Sequence, residues 1–111
     1  EKPVLTAQRT LQLATIEGAE TLGLDHLIGS LEKGKRADLI VVNLGTSKTK
    51  PTYDPVSSLV YTSSCNQVEF VIVDGKILIE NGKILTIDEE NALKKMERIE
   101  ELVEENGNSR I

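Results

Sequence analysis

The first side chains to weigh for starting a reaction or holding a metal are the single histidine His26, its neighbour Asp25, and the single cysteine Cys65. In Leu24-Asp25-His26 the last two residues could act together as ligands. A metal site, however, needs three or four ligands converging from suitable positions. One histidine, one cysteine and scattered carboxylates do not supply that set. His26 is therefore read as a loop histidine near a helix end. Cys65 would become a nucleophile if a base lowered its pKa. Its neighbours Ser64 and Asn66 offer no base, so a small, buried or half-buried residue is expected.

Other candidates thin out in the same way. Ser57, Ser58, Ser63 and Ser64 lack the Gly-x-Ser-x-Gly context of a nucleophile elbow and read as helix-end and turn residues. Gly29 and Gly34, with Lys33, Lys35 and Arg36, have the composition of a phosphate loop. Their spacing is not that of a P-loop, and no Lys-Ser/Thr pair opens a helix. A charged turn before a strand is expected instead. Asp38, at the mouth of that strand, is expected to accept backbone hydrogen bonds in the preceding turn. The acidic run from Glu97 to Glu105 reads as a solvated helix face. No residue is thereby assigned a catalytic, metal-binding or substrate-binding role.

The elements around these residues follow from periodicity and punctuation. Glu1 to Gly23 reads as helical, with Thr6 as N-cap and Ala7, Leu11, Ala14 and Leu22 near helical spacing. Gly18 interrupts the run, so two short helices should meet near Ile16 to Gly18, the second stopped by Gly23. Ile28 to Asp38 is turn-rich, and Gly34 should adopt a backbone angle other residues resist. Leu39-Ile-Val-Val42 is an uninterrupted apolar run, which suggests a strand buried on both faces. Thr46 to Thr52 is a polar loop. Asp54-Pro55 starts a short helix over about 55–64, facing Val56, Leu59 and Val60 inward and ending at Ser63 to Asn66.

Phe70-Val-Ile-Val73 is a second buried strand. Asp74-Gly75 and Asn81-Gly82 favour the primed turns that join antiparallel strands. A three-stranded meander through Lys76–Glu80 and Lys83–Ile87 follows. Asp88 caps a last helix, with Glu89 and Glu90 where carboxylates suit the helix dipole. Leu93, Met96, Ile99 and Val103 form its buried stripe, and Gly107 should stop it. Three parts result: 1–27 helical, 28–88 rich in strands, and 89–107 a terminal helix.

Composition limits the partners. The 111 residues suit one small α+β domain, 39% hydrophobic and 28% charged, with a core of Leu, Ile and Val because aromatics are few. A net charge of −5 argues against nucleic acid, which demands clustered Lys and Arg. No apolar run approaches a membrane span. The lone cysteine and the lack of an export-type N-terminus lead to the expectation of a cytoplasmic setting.

Three ordered motifs resemble one family. Gly29-Ser-Leu-Glu-Lys-Gly-Lys-Arg-Ala-Asp-Leu-Ile-Val-Val42 is similar to the late motif of the amidohydrolase superfamily, which leads from a (β/α)8 barrel into a small β-sandwich. Ala14-Thr-Ile-Glu-Gly-Ala-Glu-Thr-Leu-Gly-Leu24 resembles the helix pair ending the barrel. Val71-Ile-Val-Asp-Gly-Lys76 and Glu80-Asn-Gly-Lys83 resemble its closing hairpins. Tyr53-Asp-Pro-Val-Ser-Ser-Leu-Val-Tyr61 and Gly82-Lys-Ile-Leu-Thr-Ile-Asp-Glu-Glu90 are similar to the branch of methylthioadenosine/S-adenosylhomocysteine deaminases and chlorohydrolases. Guanine and cytosine deaminases are the nearest alternatives.

The resemblance implies a parent enzyme with one divalent metal, zinc in many members, held by a His-x-His pair, two later histidines and an aspartate. The metal lowers the pKa of its bound water, which displaces ammonia from a purine ring. None of those ligand motifs can be matched to this sequence. The chain would then supply the C-terminal structural share, partnered by the N-terminal part of the parent. Its uncovered strand edges would invite pairing with another copy. A stand-alone interaction module is the rival reading from a different class.

Overall fold

A Schellman arrangement shows how closely local sequence shapes the first helices. The computed structural model describes residues 4–46 and 53–108. Within it α1 spans Ala7–Ala14 and α2 spans Ile16–Thr21. The Thr6 side chain accepts from the Arg9 N–H at 3.1 Å, satisfying a donor that α1 leaves free. The helices part at Thr15, whose φ of −122° and ψ of −98° are not helical. That is one residue before the expected junction. Gly18 lies inside α2, where an added Cβ would stand 3.1 Å from the Leu13 carbonyl oxygen. Its role is to admit the end of α1, not to break the helix. Gly23 does stop α2: it has φ +70°. The Gly23 N–H reaches the Glu20 carbonyl at 2.9 Å, and the Leu24 N–H reaches that of Ala19 at 2.8 Å.

Four antiparallel strands follow in the order β1-β2-β3-β4: Leu39–Val42, Val68–Val73, Lys76–Glu80 and Lys83–Ile84. Between β1 and β2 the register shifts after Val41, which pairs with Phe70, while Val42 pairs with Val68. Glu69 is thus an extra residue on β2, a bulge. Both expected tight turns form. Asp74 and Gly75 have φ of +51° and +77°, and Asn81 and Gly82 have φ of +50° and +77°. Positive φ at both central residues marks the turn type whose twist matches the flanking strands.

The third strand of the meander is shorter than expected. β4 pairs only Ile84 with Ile79 and Lys83 with Glu80. One more bond follows, from the Leu85 N–H to the Leu78 carbonyl at 2.9 Å. The residues up to Ile87 are spent on turning the chain into the last helix.

α3 is a single turn, Pro55–Ser57, that widens into a π-helical turn over Ser58–Thr62. It packs on α1. Asp54 caps it, as its position before Pro55 predicts. A 3-10 turn, Cys65–Gln67, leads into β2. Of the expected loop at Thr46 to Thr52, only Thr46 lies within the described residues.

α4 spans Glu89–Asn108. The Asp88 carboxylate accepts from the Asn91 N–H at 3.1 Å. Gly107 keeps a helical backbone instead of the left-handed one that ends a helix, so α4 runs one residue past it.

Burial departs most from expectation. Among the described residues the buried apolar ones are Ala7 and Ala19, and no large side chain is fully buried. Ile40 and Val41 are 55% and 42% exposed, so β1 is not covered on both faces. Leu93, Met96, Ile99 and Val103 are all more than half exposed. The physical reason is the same for both: one sheet layer and one outlying helix have no second layer among the described residues. The Cα radius of gyration is 19.6 Å, against roughly 13 Å for a compact domain of this size.

Candidate functional site

The residues that could do chemistry are scattered. Asp25 and His26 occupy an exposed turn after α2. Cys65 opens the 3-10 turn with its thiol exposed, contrary to the half-buried expectation. Gln67, two residues on, takes the inward place and is 4% exposed. No group of three His, Cys, Asp or Glu side chains that could hold a metal occurs among the described residues. Among the described residues the donors therefore do not fit the metal centre that the resemblance implies.

Asp38 does accept a backbone hydrogen bond, but not in the preceding turn. Its donor is the Asp74 N–H at 2.7 Å, in the β2–β3 turn. The Gly75 N–H adds a bond to the Ala37 carbonyl at 3.0 Å. Antiparallel pairing sets the start of β1 beside the end of β2, and this long-range contact follows from that. Asp38 is a clasp between two turns.

The basic loop spends one of its charges internally. Lys35 Nζ lies 2.7 Å from Ser30 Oγ and 3.1 Å from Glu32 Oε2, and Ser30 donates to Glu32. The Ser30 hydroxyl first, then the Lys35 ammonium, hold the Glu32 carboxyl below its ordinary range. Gly34 has φ +96°, as its place in this turn predicts.

The serines stay in local roles. Ser57 Oγ donates to Asp54 at 2.6 Å, Ser63 donates to the Leu59 carbonyl, and Ser58, at the end of α3, is buried. The Ser57 hydroxyl is the main cause that lowers the Asp54 pKa, with the Val56 and Ser57 N–H groups helping and partial desolvation opposing. A depressed carboxyl contributes stability above its unfolded pKa of about 4, which is lost as pH falls through the lower folded value. Asp54→Ala should therefore lower the unfolding midpoint at neutral pH. Its deficit should shrink in acid, at about pH 3, when urea unfolding is followed by circular dichroism. A deficit constant across that range would count against the capping account.

Two features were not singled out from the sequence. Gln67 is a buried hub: its amide donates to the Asn43 carbonyl at 3.0 Å and to Thr46 Oγ1 at 2.9 Å. Its carbonyl oxygen accepts from the Ser64 N–H at 2.8 Å. The spacing Ser64-x-x-Gln67 is that of a capping box, and could have revealed it. The second is the packing of Gly29, a residue weighed above only for a phosphate loop: it has φ +92° and lies against α2.

One concavity is a groove of about 510 Å³ between α2, the Ile28–Leu31 segment and β1. Leu22, Leu31 and Ile40 line it and are exposed. Its lining is apolar, with Asp38 as the one ionisable group. That chemistry suits packing against another apolar surface.

Comparison with known proteins gives the wider setting. A profile described as "Amidohydrolase family" matches residues 1–78. The chain is 44% identical over 92 residues to a 5-methylthioadenosine/S-adenosylhomocysteine deaminase of Syntrophomonas wolfei, covering 83% of this chain and 21% of that protein. It is 45% identical over 102 residues to a 5'-deoxyadenosine deaminase of Methanobrevibacter smithii, covering 90% and 23%. Among solved structures, an adenosine deaminase from Xanthomonas campestris with bound zinc superposes with a TM-score of 0.83 at 32% identity, over 90% of this chain and 23% of that one. Atrazine chlorohydrolase TrzN from Arthrobacter aurescens, complexed with zinc, gives 0.74 at 31% identity, over 82% and 20%. The chain thus spans about a fifth of the length of the relatives it matches.

Proposed function

Because the chain belongs to the amidohydrolase family, we propose that it is the C-terminal structural portion of a metal-dependent aminohydrolase. The substrates of that enzyme are purine nucleosides such as methylthioadenosine or S-adenosylhomocysteine. The observation that carries this reading is the identity of 44% and 45% to deaminases of this kind over most of the chain. In this reading residues 1–27 are the last helices of a (β/α)8 barrel. Residues 28–88 are strands of a small sandwich with the short helix near 55–64, and 89–107 are a terminal helix. The catalytic and metal-binding groups lie in the remainder of the parent, which holds one divalent metal, zinc. Zinc in the related structures supports that choice of metal. The setting is cytoplasmic, in keeping with the lone cysteine, and no described helix is long and apolar enough to cross a membrane.

The isolated chain is expected to bind no zinc stoichiometrically and to release no ammonia from methylthioadenosine. Equilibrium dialysis and an ammonia assay check both, and stoichiometric zinc with turnover would overturn the reading. The polypeptide captured from source extract by an antibody against this segment should be several times heavier than 12.2 kDa. It should release ammonia from methylthioadenosine. Release of chloride from a chlorotriazine instead would transfer the parent to the chlorohydrolases.

The principal partner in this proposal is the rest of the parent chain. Without it, the edge of β1 is the place for a second copy to pair. Leu39–Val42 is apolar and carries no charge, whereas β4 is two residues long and carries Lys83. Charge and shortness are what normally protect an edge strand. Sedimentation of the isolated chain should show a dimer that Ile40→Lys converts to monomer. A compact wild-type monomer at all concentrations would refute this.

A further inference from the structure

We draw no further inference here: the strongest candidate, the exposed apolar stripe of α4 formed by Leu93, Met96, Ile99 and Val103, is an unpartnered helix face, and nothing in the structure shows what covers it.

Discussion

Gly29→Ala is expected to lower the unfolding free energy by roughly 2–4 kcal/mol. Two costs combine. The backbone at Gly29 has φ +92°, where a side chain is strained. An added Cβ would also stand 2.7 Å from Ala19 Cβ and 3.0 Å from Ile16 Cα. Neither neighbour can swing away, because both atoms belong to the rigid frame of α2. Ala19 is itself only 3% exposed, so the contact is one of the few buried ones here. The helix pair and the segment leading to β1 would have to separate.

Gly34→Ala is the matched control. Gly34 has φ +96°, but nothing lies within 4 Å of its added Cβ. It should cost only the backbone part, about 1 kcal/mol. Urea unfolding of the two variants, followed by circular dichroism, separates steric from conformational cost. Equal losses would show that the close approach to α2 contributes nothing.

Gln67→Ala should cost about 3 kcal/mol, through unpaired groups more than through lost volume. The Ser64 N–H and the Asn43 carbonyl would lose their partner at a site where Gln67 is 4% exposed. The Thr46 hydroxyl can turn and so limits its share of the loss. Gln67→Glu tests the same idea without opening a cavity. The carboxylate still accepts from Ser64, but it presents an acceptor to the Asn43 carbonyl where a donor stood. Hydrogen exchange at the Ser64 amide should quicken greatly in the alanine variant and little in the glutamate one. Similar exchange in both would mean that the Ser64 amide is protected by something other than Gln67.

The two sites differ in how much the sequence discloses. Gln67 sits three residues after Ser64, a spacing with a mechanism attached, so it was within reach of sequence reasoning. Gly29 was not. Glycine in a turn-rich stretch predicts a turn, and its neighbours Gly23 and Gly34 have positive φ of that kind. That Gly29 alone touches α2 depends on where the chain returns, which residue types do not encode locally. The sequence holds one histidine, so the four-histidine ligand set that the resemblance implies cannot be matched to it.

The sequence by itself determined what a few neighbouring residues decide. Thr6, Asp54 and Asp88 cap helices because a short polar side chain reaches the free N–H groups just ahead of it. Asp74-Gly75 and Asn81-Gly82 make tight hairpins because these residues tolerate positive φ. Tertiary structure alone decided burial and long-range pairing. Leu39–Val42 reads as a strand covered on both faces, and the α4 stripe as a helix against a core, yet both lie open. An apolar pattern states which face seeks cover, and only the packing of another layer determines whether that face receives it. Likewise Asp38 found its donor 36 residues away, in the β2–β3 turn. Strand pairing had to bring that turn alongside before the carboxylate could be satisfied.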